Sequence, residues 1–118
     1  MSSFFETDRD EFAFGGKIYQ GYFNLYPNFS YKPTLRHIDS VSGLTVVGHN
    51  MHSDGWAIAV DFCNTSFLID THDHGTSTLF CVESGVNDQI VMLAFLGCFL
   101  PVLRDDWFGP SARDFKDD

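Results

Sequence analysis

The strongest constraint on the fold of this chain is a period of two within residues 56–83. Three short apolar segments are separated there by Asn64-Thr65 and by an acidic, histidine-rich bend at residues 70–75. In the first segment, large apolar side chains take every second position, at Trp56, Ile58, Val60 and Phe62. Successive side chains of a strand point to opposite faces, so this pattern is typical of half-buried strands. Residues 56–83 therefore predict three antiparallel strands at the centre of the fold.

The segments before this centre predict further strands joined by turns. Residues 12–25 are predicted to contain a strand. Gly15-Gly16 are predicted to make a turn or bulge before it. Residues 34–39 and 44–48 are predicted to pair as a hairpin. Stretches that are polar or contain proline are predicted loops, at residues 26–33 and 49–55.

One helix is predicted near the C-terminus, over residues 90–100. The segment is rich in good helix formers, and Pro101 would end the helix. Ser84 or Asn87 is a candidate N-cap, and Asp88 would be favourable near the positive end of the helix dipole. The segment is apolar on nearly every face, which predicts that the helix is buried.

These elements predict one α+β domain over residues 1–118, mainly an antiparallel β-sheet of five to six short strands with one buried helix near the C-terminus. A chain of this length buries roughly 65% of its unfolded surface, which is enough for a stable core. No signal peptide is expected, because the first residues are polar and acidic. The longest apolar run, residues 90–103, is shorter than the roughly 20 residues of a spanning helix.

The three cysteines, Cys63, Cys81 and Cys98, lack CxxC spacing and each lies in an apolar run. Their odd number predicts buried thiols in a reducing, cytoplasmic compartment. A bridge between Cys63 and Cys81 stays an alternative.

Charge is distributed unevenly along the chain. Residues 37–103 contain no lysine or arginine but hold seven carboxylates and all five histidines, so this interval carries −7 of the net −9. Such a field repels DNA and RNA and works against binding to an anionic membrane. It favours a basic protein partner and fast, electrostatically steered association. The alternative is that the acidity serves only solubility.

The histidines suggest a second class of function. In an extended segment Asp70, His72 and His74 would share one face, and His49 and His52 are spaced for one helical turn. If the two segments meet, their side chains would suit zinc or another divalent metal, which predicts a small metal-binding protein or metal-dependent hydrolase. The HExxH and PCxxC signatures are absent from the sequence. The primary expectation is therefore a protein without a cofactor, without catalytic residues and without enzymatic activity.

Six carboxylates dominate the middle of the chain, at Asp54, Asp61, Asp70, Asp73, Glu83 and Asp88. Several aromatic residues are expected to be exposed beside them, namely Tyr26, Phe29, Tyr31 and Trp107. In size, charge and compartment the chain resembles the small acidic antitoxins of bacteria, including immunity proteins of contact-dependent inhibition and colicin systems. Phage-encoded inhibitors of nucleic-acid-binding defence complexes have the same profile.

This resemblance implies a cytoplasmic inhibitor that covers the basic cleft of a nuclease toxin with carboxylates, while aromatic anchors pack at the centre of the contact. The best candidate contacts are Asp54, Asp70, Asp73, Tyr31 and Trp107. A subunit of an obligate assembly, with aromatic residues buried between copies, is a third possibility, and the oligomeric state is left open.

Overall fold

The computed structural model describes residues 11–25, 29–52, 55–72 and 77–99. Its elements, in chain order, are β1 (Glu11–Phe14), β2 (Lys17–Leu25), α1 (Tyr31–Ser40), β3 (Thr45–His52), β4 (Gly55–Phe62), β5 (Thr65–His72), β6 (Ser77–Glu83) and α2 (Gln89–Gly97). The six strands form one antiparallel sheet in the order β1-β2-β6-β5-β4-β3. The fold is α+β with a helix near the C-terminus, as the sequence predicts.

Strands β4, β5 and β6 are the three central strands expected from the alternating pattern. Ile58 pairs with Ile69, which pairs in turn with Phe80, and all three side chains are fully buried on one face of the sheet. A two-residue turn joins β4 to β5, with positive φ at Cys63 and Asn64. This backbone matches the right-handed twist of the flanking strands, and asparagine adopts it at low cost.

The predicted hairpin of residues 34–39 with 44–48 is wrong, because residues 34–39 belong to helix α1. Tyr31, Thr34 and Ile38 are its buried side chains, and their spacing of three and four residues is that of one helical face. Pro33 lies in the first turn, where a backbone N–H would have no intrahelical partner, so proline is tolerated there. The predicted loop over residues 26–33 therefore ends earlier than expected.

Two further boundaries differ from the sequence prediction. Gly15 and Gly16, both at positive φ, form the turn of the hairpin between β1 and β2 rather than a turn before a single strand. Residues 49–52 were expected in a loop but complete β3. Three of these four residues are polar, and β3 is an edge strand with several exposed side chains, so it does not show the usual apolar alternation.

Both helices pack on the same face of the sheet, called here the helix face. Phe95 of α2 stacks on Phe67 of β5 with ring centroids 4.1 Å apart and ring planes within 7° of parallel. Phe99 makes edge contacts with Phe80 and with the ring of His37 from α1. The ring Nε2 of His37 also hydrogen-bonds the carbonyl of Cys98 at 2.6 Å, which joins α1 to the end of α2.

The opposite side of the sheet, called here the inner face, carries a second and smaller core. Its buried members are Tyr19, Ala57, Ala59, Leu68, Leu79 and Cys81. Phe12 and Phe14 of β1 pack against this cluster. A side chain on Gly48 of β3 would meet the ring of Phe14 at 3.3 Å, although β1 and β3 are opposite edges of the sheet. The sheet therefore curls so that the ring of Phe14 from one edge reaches the other edge, and the inside of the curl holds both large and small side chains.

Helix α2 begins one residue before its predicted start and ends three residues before its predicted end, at Gln89 and Gly97. Asp88, rather than Ser84 or Asn87, is the N-cap, and its side chain accepts a hydrogen bond from the backbone N–H of Val91. The prediction that the helix is buried is correct for one side only, because Ile90 is 81% and Leu93 44% exposed. Neither helix within the described residues has the length and apolar character needed to cross a membrane.

All three cysteines, each within the described ranges, are thiols rather than halves of a disulfide. Cys81 is buried as predicted, whereas Cys63 is exposed because it occupies the β4–β5 turn. Cys98, beside the end of α2, is half-buried, and this burial is the main cause that raises the pKa of its thiol.

Candidate functional site

Carboxylates from three adjacent strands stand on the inner face of the sheet. Asp61 of β4, Asp70 of β5 and Glu83 of β6 each lie two residues from a member of the inner core on the same strand. Alternate residues of a strand share a face, so all three project to the same side. Asp61 and Glu83 lie towards one end of this face, and Asp70 lies about 13 Å along the strands towards the other.

Lysine and serine connect the carboxylates at the first end. Lys17 Nζ donates a hydrogen bond to Ser66 Oγ at 2.8 Å, and Ser66 Oγ donates to Asp61 Oδ1 at 3.1 Å. Lys17 Nζ also lies 3.7 Å from Glu83 Oε1. We call Lys17, Tyr19, Asp61, Ser66 and Glu83 the Lys17 cluster. It joins residues of four strands into one polar group at the mouth of the curled sheet.

Tyr19 reports the electrostatics of this cluster. Its side chain is buried and its residue pairs with Glu83 across the β2–β6 ladder. Burial raises the pKa of the Tyr19 hydroxyl, and the negative charges of Glu83 and Asp61 raise it further, while a hydrogen bond with Ser66 acts in the opposite direction. Two carboxylates from different strands therefore act on the same hydroxyl.

Ser66 of the Lys17 cluster is not placed as an open serine nucleophile would be. A serine nucleophile needs a neighbouring base that can accept its proton and an open path to the substrate. Lys17 instead faces Glu83 and donates to Ser66 as an ammonium ion, and Ser66 is 5% exposed. Asp61 is exposed and Glu83 is half-exposed, so both carboxylates of the cluster are accessible to solvent.

The predicted metal site is not assembled in the part of the chain that the structure describes. His49 and His52 both lie in β3, so the helical turn expected to bring them together does not exist. The ring Nδ1 of His49 is hydrogen-bonded to the hydroxyl of Tyr31. Asp70 and His72 lie in β5, while His74 and the side chains of both His52 and His72 fall outside the described residues. Within those residues, no group of three or more candidate ligands is placed to hold a metal ion.

The predicted partner-binding residues divide into three groups. Asp54, Asp73 and Trp107 lie outside the described residues. Asp70 is half-buried on the inner face, where it pairs with Ala57 and Leu79. Tyr31, the last of these candidates, lies in the core of the structure.

The expectation that Phe29 and Tyr31 are exposed is wrong. Phe29 is fully buried and its backbone N–H donates to Thr78 Oγ1 at 2.6 Å. Tyr31 is 7% exposed, and its ring lies 5.8 Å from that of Trp56. A helical spacing that runs from Tyr31 through Thr34 to Ile38 is the signal that would have placed Tyr31 in the core. Tyr26, the third of these aromatic residues, lies outside the described ranges.

Sequence reasoning did not single out Lys17, Tyr19 or Ser66. Lys17 and Tyr19 take alternate positions of β2, which is a weak signal for a shared face. Their approach to Asp61 and Ser66 depends on the pairing of β2 with β6, which is distant in sequence.

Three comparisons with known proteins identify no relative of this chain. No protein-family model matches the chain, and comparison with curated proteins and with solved structures finds no similar protein.

Proposed function

We propose that this protein is a cytoplasmic binding module that takes a basic protein partner on its inner-face carboxylates, and that the partner is a nuclease toxin whose nucleic-acid cleft is thereby blocked. One observation carries the proposal: Asp61, Asp70 and Glu83 project from three adjacent strands to the same side of the sheet. Nuclease clefts attract phosphates with lysine and arginine, so a surface of carboxylates competes for the same groups.

The charges around this face support an anionic recognition surface. Lys17 neutralises part of the charge of Glu83 at 3.7 Å, but the exposed Asp61 accepts its hydrogen bond from a neutral serine hydroxyl. Residues 37–103, which hold these acids, contain no lysine or arginine, so a cation beside them comes from elsewhere in the chain, as Lys17 does. The field of the module therefore extends beyond its surface, over about 8 Å at physiological salt, and steers a cationic partner.

Rigidity of the platform also favours a binding role. The three carboxylates stand on paired strands whose other face is locked by the Phe67–Phe95 stack and by α1 and α2. Side chains on such a scaffold lose little freedom on binding, which lowers the entropic cost of association. The three cysteine thiols are compatible with the reducing compartment in which this inhibitor would act.

The first experiment identifies the partner. Protein immobilised through a C-terminal biotin tag, which leaves Lys17 unmodified, is used to capture proteins from a lysate of the native host at low and at high salt. The proposal expects a basic protein with nuclease activity that is eluted by salt and inhibited by the purified module. Capture of an acidic protein, or a captured nuclease that remains fully active at saturation, would contradict it.

The second experiment locates the interface by charge reversal. Asp61→Lys and Asp70→Lys should each slow association with the captured partner about tenfold and flatten its dependence on salt, because both remove steering charge from the inner face. Asp39→Lys is the matched control, since Asp39 is an exposed carboxylate on α1 and the change in net charge is the same. Equal effects from all three variants would mean that only the overall charge matters, and unchanged kinetics would exclude the inner face.

A further inference from the structure

Strand β3 is an edge of the sheet that carries a bulge and is reached by the ring of Phe14 at Gly48, but has none of the other usual protections in the part of the chain that the structure describes. It is eight residues long and, within the ranges the structure describes, only β4 pairs with it. Edge strands present unsatisfied backbone N–H and C=O groups, and proteins usually shield them with charges, proline, bulges or short length. The sequence of β3, TVVGHNMH, contains no acidic residue, no lysine or arginine and no proline. The opposite edge, β1, is by contrast four residues long and begins with Glu11.

A bulge divides β3 and leaves one regular segment. The register with β4 shifts between Val46 and Gly48, so Val47 is the extra residue. From Gly48 to His52 the pairing is continuous, and His49, Asn50 and Met51 are exposed. Met51 is 37% and Val47 55% exposed, so this edge presents apolar side chains to solvent. The stretch 48–52 is thus a ready template for another strand.

We propose that two copies of the chain pair through β3, with residues 48–52 of each copy antiparallel and a twofold axis close to Asn50. In this register Asn50 lies opposite its own counterpart, and His49 of each copy lies opposite Met51 of the other. Side chains directly opposite in an antiparallel pair have Cβ atoms about 5 Å apart, so these pairs are in contact. The two sheets then form one continuous sheet.

Charge selects a second copy as the occupant of this edge. The molecule carries a net −9, so identical copies repel each other unless they meet where carboxylates are absent. Strand β3 is such a place, because its eight residues include no acid. A basic partner would find no carboxylate on β3 to pair with, whereas an identical neutral strand offers the same backbone groups and the same exposed methionine. Identical antiparallel strands also close a symmetric pair without leaving a new free edge.

The pairing does not depend on the proposed function. A twofold axis perpendicular to the joined sheet leaves both inner faces on the same side, so the carboxylates of each copy stay accessible. Failure of either proposal therefore leaves the other standing.

The first test measures self-association directly. Sedimentation equilibrium over about 1 to 100 µM protein should show a reversible dimer that strengthens with added salt, since screening weakens the repulsion between copies. Met51→Lys should weaken the dimer at least about tenfold, because two ammonium groups would then border the strand pair. Leu93→Lys is the matched control: Leu93 is a similarly exposed apolar residue, but it lies on α2, so the dimer should be unaffected. A monomer at all concentrations, or equal losses in both variants, would overturn the proposal.

The second test fixes the register and does not depend on affinity. In a Cys63→Ser background, which removes the exposed native thiol, Asn50→Cys should form a disulfide between copies under mild oxidation. Thr45→Cys, at an exposed position of the same strand but outside the paired segment, should not. Cross-linking of both variants at equal rates would mean random collision, and cross-linking of Thr45→Cys alone would refute this register.

Discussion

At the scale of single residues, the first position of β4 requires glycine, because the backbone and the neighbouring side chain leave no room for a Cβ. Gly55 has φ of +153°, and a Cβ added there would lie 1.8 Å from Thr71 Oγ1. The same hydroxyl accepts a hydrogen bond from the backbone N–H of Trp56 at 2.8 Å and donates to the carbonyl of Trp56 at 3.3 Å. The threonine therefore takes the space that a side chain on Gly55 would need, and it holds the strand pair in register.

Gly55→Ala should lower the free energy of unfolding by about 2–4 kcal/mol, because it adds backbone strain to a clash with a fixed hydroxyl. Thr71→Val keeps the shape of the side chain but leaves the Trp56 N–H without its partner, which should cost about 1–3 kcal/mol. Urea denaturation of both variants measures these losses. If Gly55→Ala is as stable as the parent protein, the close approach of Thr71 is not a feature of the folded state.

At the scale of elements, the success and failure of prediction have distinct physical causes. The central strands were predictable because Ile58, Ile69 and Phe80 belong to long alternating segments, where periodicity alone selects the strand. Helix α1 was not predictable in this way, because Pro33 and the β-branched Thr34 and Ile38 give the segment a low helical propensity. Packing of one helix face against the sheet outweighs that low propensity.

The packing of α2 leads to a prediction about its two sides. Phe95 is fully buried against Phe67, Phe62, Phe80 and Phe99, whereas Ile90 is 81% exposed on the same helix. Phe95→Ala should therefore cost about 3–5 kcal/mol of unfolding free energy, and Ile90→Ala less than about 0.5 kcal/mol. Chemical denaturation compares the two variants. Similar losses would mean that the apolar face with Ile90 is covered in solution.

At the scale of the whole molecule, two cores share one sheet, and each contains a buried tyrosine. Tyr22 lies on the helix face, where its hydroxyl donates to the carbonyl of Met92 at 3.3 Å, and burial raises its pKa. Tyr19 lies on the inner face, where burial and then the charges of Glu83 and Asp61 raise its pKa. The inner-face site was only partly predictable, since Asp61 and Glu83 are evident as charges but their approach to Tyr19 needs the β2–β6 pairing.

These two tyrosines predict a loss of stability in alkaline solution. Their pKa values are raised above the ordinary 10.0 in the folded state, so the stability they contribute is present below about pH 10. It is lost as the pH rises through the folded-state values, because the unfolded chain releases its protons first. Denaturation midpoints measured from pH 8 to pH 11, approximately, should fall at the alkaline end, and Tyr19→Phe should make that fall shallower. An unchanged alkaline limb in Tyr19→Phe would place the titration elsewhere.

The order of strands also has a consequence for how the chain is made. Strand β2 emerges from the ribosome early, yet its neighbour in the sheet is β6, which is synthesised after β3, β4 and β5. The hairpin of β1 and β2 must therefore wait, with its apolar side uncovered, until most of the polypeptide has been translated. Completion of the sheet through distant pairing is slow compared with local folding, so newly made chains are most vulnerable to aggregation during this interval.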